Sequence, residues 1–432
     1  MAASRSRPSP DLVERVGATL ARLVEPHDVL TVGLSGGLDS TVLLHVLARL
    51  APVQRFVLRA AHVHHGLQAA ADAWPAHCET VCAKLGVPLQ VLRVEVDRQH
   101  PQGIEAAARA ARHAALRGLG GDWLALAHHR GDQAETLLHR LTRGSGVQGA
   151  AGMRIADERG GPPALLRPLL DEPRNELEDW ARAQQLDWIE DPSNADTAYS
   201  RNFLRHDILE PLNRRFPGAE AALARAAGHF LEATELLAAL ARSDLAVVRR
   251  GTRASRTALL ALDDARLANL LRERLAARDL PAPDARQLVE AIRQLRDAQA
   301  PWRARFDNWA LCVQDDDVWI EPADLPAAPG VVIWRGEPEL DWGVARLRFP
   351  ARMDGAAIEL RPRAGGEHIR PDPRRPSRDL KTLAREQGAP PWWREAIPVI
   401  WQDGRPIWFA GAAQTGSDSE RIEWVPRIRA EF

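Results

Sequence analysis

The sequence is short of several residues. Of its 57 basic residues only Lys84 and Lys381 are lysines, so arginine carries nearly all the positive charge. A lysine kept in such a background is a better candidate for a specific task. Cysteine is also scarce. Three in 432 residues (Cys78, Cys82, Cys312) is an odd number that argues against a disulfide framework and fits reduced thiols. His77, Cys78 and Cys82 have no second Cys/His cluster to complete a tetrahedral metal site, and their spacing suits helix packing. No apolar run approaches the roughly 20 residues that cross a bilayer. Met1 to Pro10 lacks a signal-peptide apolar core. The expectation is a cytoplasmic protein with no membrane partner. A formal net charge of −1 excludes a polycation, so any contact with nucleic acid needs local basic patches.

What is present is ordinary globular material, with 45% hydrophobic and 27% charged residues over a length that calls for two or three domains. Short apolar runs at Val29 to Leu34, Phe56 to Val63, Leu89 to Val96 and Trp123 to Ala127 alternate with helical patterns. One such helix spans Gly103 to Leu119, and another starts at Asp132. That alternation predicts an α/β fold, a parallel sheet with helices on both faces, over residues 1–216. Residues 217–321 read as a helical domain, 322–344 as a Pro/Ala-rich linker and strand region, and 345–432 as a small α+β domain with several tryptophans. The acidic run Asp315 to Asp317 reads as a solvated turn.

Ligands of parallel sheets bind beyond the carboxyl ends of the strands. The first strand runs into Ser35-Gly36-Gly37-Leu38-Asp39-Ser40 and then a helix. Paired glycines let backbone amides approach phosphate oxygens, and a helix N-terminus adds unpaired N–H groups and a positive dipole end. Asp39 would repel phosphate unless a cation lies between them, which implies Mg²⁺. No Gly-Lys-Ser/Thr is present, so this is not a Walker A loop. The plain alternative is an Asp/Ser helix cap after a glycine turn. The motif resembles the pyrophosphate loop of ATP pyrophosphatases, a Rossmann-like, adenine nucleotide alpha hydrolase-like fold whose members activate a carbonyl oxygen as an adenylate.

Further segments narrow the resemblance: His62-Val63-His64-His65-Gly66-Leu67, Gln102 to Arg112, Ala127-His128-His129 with Asp132-Gln133-Ala134-Glu135-Thr136, Arg143-Gly144-Ser145-Gly146, Arg167-Pro168-Leu169-Leu170, Glu190 to Asn194 and Arg201 to Arg205. Arg363 to Glu367, Lys381 and Pro390 to Arg394 extend it into the last domain. In this order the chain resembles the tRNA(Ile)-lysidine synthetases. That resemblance implies ATP and Mg²⁺ as cofactors, and tRNA(Ile) with a CAU anticodon and free L-lysine as partners. It also implies a reaction in which cytidine 34 is adenylated and lysine then displaces AMP. Two positions depart from the family pattern: His113 stands where tyrosine is usual, and Gly131 replaces one member of an acidic pair, leaving Asp132.

The residues permit several roles. Asp132 and Glu135, three apart at a helix start, face one side and suit Mg²⁺, a lysine ammonium or simple capping. Arg109 and Arg112 share a helix face and suit a triphosphate or a lysine α-carboxylate. Ser35 to Ser40 and His64 are the candidate nucleotide contacts; His128 and His129 read as pocket lining. Arg201 and Arg205, four apart, are expected to present two guanidinium groups to RNA phosphates. In the last domain Arg361, Arg363, Lys381, Trp392 and Arg394 are the candidate tRNA contacts, within a stretch from Arg361 to Lys381 that holds seven basic and three acidic residues. The rival readings are a tRNA thiolase of the same superfamily, which needs reactive cysteines, and a non-catalytic ATP- or RNA-binding module. Homodimers are common among such folds, and the sequence carries no mark of one.

Overall fold

The computed structural model describes residues 11–66, 72–97, 99, 103–192, 196–198, 200–281, 283–350, 358–370, 376–386, 390–409, 413–414, 422–427 and 431–432. Leu67, Gln102, Ser193, Asn194 and Ala410 lie outside the described residues. The chain divides into two compact units, residues 1–235 and 236–432.

In the first unit the apolar runs become strands and the amphipathic stretches become helices: α1 Leu12–Leu20, β1 Val29–Gly33, α2 Leu38–Gln54, β2 Val57–His64, α3 Trp74–Leu85, β3 Leu89–Arg93, α4 Ile104–Arg117, β4 Trp123–Ala125, α5 Arg130–Leu141, α6 Val147–Ala150, β5 Ala156–Asp157, β6 Ala164–Leu166 and α7 Arg174–Ala183. The strands form one sheet in the order β3-β2-β1-β4-β6-β5, parallel except for the β5–β6 pair. Leu30 and Val32 on one face of β1 and Thr31 on the other are all buried, as a strand covered on both faces requires. Each such apolar side chain contributes roughly 1.5–3 kcal/mol of burial energy. Strand order reverses across β1: the chain winds outward through β2 and β3, then returns to β4 on the other side. The loops after β1 and β4 therefore flank the crevice where ligands of such sheets bind.

After α7 come α8 Ser200–Phe203, a π-helix over Leu204–Leu209, α9 Glu210–Arg215 and the long α10 Ala219–Val248, within which the division between units falls.

The second unit contains β7 Arg249–Arg250, β8 Arg253–Ser255, α11 Arg256–Leu260, α12 Asp264–Ala276, α13 Ala285–Asp297, β9 Trp302–Phe306, β10 Trp309–Gln314 and β11 Asp317–Pro322. The stretch 217–321, expected to be helical, thus ends in an antiparallel sheet of order β7-β8-β11-β10-β9. Tight turns at Asp307 and Asp315, both at positive φ, fold this meander. The acidic run is more than a solvated turn: Asp316 accepts hydrogen bonds from Ser255 Oγ, Thr257 N and Thr257 Oγ1, and Asp317 pairs with Arg253 at 3.2 Å. Beyond it lie β12 Val332–Trp334, β13 Glu339–Asp341, β14 Ala345–Arg348, β15 Ile358–Pro362, β16 His368–Ile369, β17 Arg378–Asp379, α14 Leu380–Glu386, α15 Pro391–Arg394, β18 Pro398–Gln402, β19 Arg405–Phe409, β20 Ala413–Gln414 and β21 Glu423–Pro426. Because β12 pairs with β15 and β13 with β14, the region expected as linker and strand supplies strands to the last sheets.

Candidate active site

The turn after β1 is held by its own serines. Ser35 Oγ and Ser40 Oγ lie 3.0 Å apart, Gly37 N donates to Ser35 Oγ, and Ser40 Oγ donates to the Gly37 carbonyl. Gly37 caps α2 without any side-chain cap, so Asp39 is not serving as a helix cap. Gly36 sits at φ +88°, and a Cβ there would come within 2.7 Å of Ile189 Cδ1; its carbonyl accepts from Ile189 N. The loop opens on a cavity of about 780 Å³. Ser35, Gly37, Leu38, Asp39 and Ser40 line it, facing Arg112, Arg174, Arg205, Trp74, Trp188 and the Ile189–Pro192 segment.

Asp39 is the focus of this cavity. Its Oδ1 is buried and has no hydrogen-bond partner, with Arg174 Nε 3.9 Å away; Oδ2 lies 4.0 Å from His129 Nε2. Burial lifts the Asp39 carboxyl above its ordinary pKa, opposed by the charges of His129 and Arg174 and reinforced by Asp132. An orphaned buried carboxylate oxygen facing a phosphate loop fits a cation bridging to phosphate.

Behind the cavity, β4 leads to His129 and α5. His129 Nδ1 accepts the Gly131 N–H at 3.0 Å, which leaves its proton on Nε2, 3.7 Å from Asp132 Oδ2. Asp132 in turn accepts the His129 N–H at 2.9 Å, so it does cap its helix. Burial pushes Asp132 up, yet His129, His128, that backbone bond and Arg205 hold it below the ordinary value. Burial drives the neighbouring His128 strongly downward. Glu135 is buried, its Oε1 accepts from Arg205 Nε at 2.6 Å, and its Oε2 has no partner. Burial raises its carboxyl against the pull of Arg205.

A group of arginines lies alongside. Burial pushes the Arg109 guanidinium down to about 10, and Arg201 and Arg112 add repulsion. Arg112 and Arg140 are lowered for the same two reasons, burial and Arg201. Among the described residues no carboxylate forms an ion pair with Arg109, Arg112 or Arg201. Like charges gathered with no salt-bridge partner among the described residues, and with Asp132 as the opposing charge on Arg109, suit a polyanion. His113 sits among them and is pushed down to about 4 by burial and by Arg109, Arg112, Arg117 and Arg167.

Three family models match the chain: a PP-loop domain over residues 10–212, a TilS substrate binding domain over 255–319 and a TilS substrate C-terminal domain over 358–424. A tRNA(Ile)-lysidine synthase from Aromatoleum aromaticum is 46% identical over 90% of this chain and 94% of its own. One from Nitrosomonas europaea is 38% identical over 99% and 98%. The chain belongs to the tRNA(Ile)-lysidine synthase family. Its members are ATP-dependent ligases. A solved structure, the U34-tRNA thiolase NcsA from Methanococcus maripaludis, overlaps 51% of this chain and 78% of its own at 19% identity and a TM-score of 0.44.

The other predicted residues fall as follows. His64 is buried on Asp72 at 3.0 Å and does not line the cavity, whereas His62 and His65 do. Arg109, Asp132 and Glu135 are not among the lining residues. Arg201 and Arg205, expected to act together, have different neighbours: Arg201 adjoins Arg109 and Arg112, while Arg205 reaches Glu135 and Asp132. In the second unit, Arg363, Arg385 and Arg394 are close enough to repel one another's charge. Arg361 instead bonds Glu359 and lies 5.1 Å over Trp401. Lys381 is exposed and forms no ion pair among the described residues. Trp392, expected to stack on RNA, already stacks on the buried Trp319 with centroids 6.0 Å apart. Arg174, Trp74 and Trp188 escaped the sequence reading, since no spacing distinguishes them from surface residues. Burial raises the thiols of Cys78 to about 12 and Cys82 to about 11, which leaves them protonated and unreactive.

Proposed function

We propose that this chain ligates free L-lysine to C2 of cytidine 34 in the CAU anticodon of tRNA(Ile), with ATP cleaved to AMP and pyrophosphate. The observation that carries the reading is the phosphate loop whose Asp39 Oδ1 is buried without a hydrogen-bond partner. Ser35 to Ser40 hold the departing pyrophosphate through backbone amides and hydroxyls. Asp39 would hold Mg²⁺, whose charge would offset that of the leaving group. The cytosine O2 attacks the α-phosphorus and pyrophosphate leaves. The ε-amine of lysine then attacks C2 and expels AMP, giving up a proton.

That amine is charged in water, with a pKa near 10.4, so it needs a carboxylate to receive it and a drier setting to lose its proton. Asp132 and Glu135 supply such a setting. Glu135 is the better proton acceptor because burial has already raised it. Arg109, Arg112 and Arg201 receive the anionic partners, triphosphate and RNA backbone. In the second unit Arg363, Lys381 and Arg394 are the proposed tRNA contacts, which supply the discrimination that a single cytosine lacks.

The test combines ATP, labelled lysine and CAU-anticodon tRNA. Label enters tRNA with stoichiometric AMP and pyrophosphate. Failure of lysine to enter while labelled sulfur does would overturn the reading in favour of thiolation, against which the buried, protonated thiols already argue.

A further inference from the structure

We infer that Arg205 is a specificity-determining residue that occupies the place of the substrate lysine's ammonium and yields it only to an RNA-bound enzyme. This rests on the proposal that Asp132 and Glu135 receive lysine. Arg205 lines the cavity and Glu135 is not among its lining residues, so of this bonded pair it is the guanidinium that the cavity reaches. Its Nε donates to Glu135 Oε1 at 2.6 Å, and its terminal nitrogen is 3.6 Å from Asp132 Oδ1.

The fit is incomplete. Glu135 is 2% exposed, yet its Oε2 has no hydrogen-bond partner. A flat guanidinium presents donors in one plane, whereas an ammonium is compact and turns three donors freely. One ammonium among Oε1, Oε2 and Asp132 Oδ1 satisfies the oxygen that Arg205 leaves bare. The carboxylates are thus shaped for a smaller cation than the one they hold.

The segment that carries Arg205 is irregular. Leu204–Leu209 is a π-helix, a rare form that recurs at functional sites. Arg201, in the preceding turn, already belongs to the uncompensated arginine group. An RNA phosphate that enters the cavity lined by Arg205 gives it a second anion to pair with. The carboxylates then open to lysine, so amine is admitted only when an RNA phosphate is present.

Equilibrium dialysis of labelled L-lysine tests this on the wild-type chain with no substitution. CAU-anticodon tRNA raises lysine affinity at least tenfold; equal affinity with and without tRNA overturns the inference. Arg205→Ala and the stem-preserving Arg205→Met, each checked by thermal melting, bind lysine without tRNA at least tenfold more tightly than wild type. Adding Glu135→Gln removes that gain. If Arg205→Met gains nothing while Glu135→Gln still weakens lysine binding in the tRNA complex, Arg205 is no placeholder but the lysine site stands. If Glu135→Gln leaves lysine binding in that complex unchanged, the site itself is wrong.

Discussion

Two buried carboxylate sites, one in each unit, are partnered in opposite ways. Glu321 in the second unit is fully buried and accepts from Arg303 Nε at 2.7 Å, Trp319 Nε1 at 2.9 Å and Trp393 Nε1 at 3.0 Å. Those donors come from β9, β11 and α15, so one side chain ties the middle sheet to the segment bearing Arg394. In the first unit Asp39 Oδ1 and Glu135 Oε2 are buried without a hydrogen bond, although Arg174 lies 3.9 Å from the one and Arg205 bonds the other oxygen of Glu135. A buried charge with its full set of partners rigidifies a fold; one left short waits for a ligand.

The largest effect that would break this contrast concerns Glu321. Glu321→Ala strands Arg303 and two indole N–H groups, and costs about 3–5 kcal/mol in denaturant unfolding. A loss under 1 kcal/mol would mean the joint is ornamental. Next is Asp39→Ala. It lowers pyrophosphate release by about 10²–10³-fold, the scale for removing one preorganised electrostatic group, without lowering the melting temperature. Wild-type turnover would take the loop out of the chemistry. Smaller is Arg201→Ala, which weakens tRNA binding and flattens the salt dependence by roughly 0.7–0.9 in log–log slope, as loss of one phosphate contact does; an unchanged slope would separate Arg201 from the RNA.

The smallest effect sharpens the contrast through pH. The Asp39 carboxyl is raised in the folded state, so folded protein holds more protons than unfolded protein between the ordinary carboxylate value and the raised one. Stability therefore falls as pH rises through that window. Asp39→Asn escapes the penalty. It should melt above wild type at pH 7, with the gap closing below about pH 3.9. A gap of opposite sign would show that Asp39 is satisfied after all.

The phosphate loop was legible because strand, glycine turn and helix are local, and their order is written in consecutive residues. The short β5 and β6 were not, since two or three residues carry no period. The β9–β11 meander was missed because Ala/Leu/Arg-rich helices before it set the tone of the whole stretch. Arg201 and Arg205 were expected to share one face, and the structure gives them different neighbours for a geometric reason. A spacing of four puts side chains on one face of an α-helix, but i→i+5 bonding over Leu204–Leu209 widens the turn and gives Arg205 neighbours different from those of Arg201. Its true partner, Glu135, is seventy residues away in sequence.

Gly131 has a consequence of its own. A Cβ there would stand 2.8 Å from His129 Cε1, because the imidazole rests where a side chain would begin. His129 is itself 2% exposed and has no room to retreat. Putting an acid back at 131 would therefore not be a simple gain of charge. It would pry the ring off the start of α5, free the Gly131 N–H and turn the imidazole proton away from Asp39 and Asp132. In this chain, a second acid at 131 and a histidine bridging the other two compete for the same few cubic ångströms.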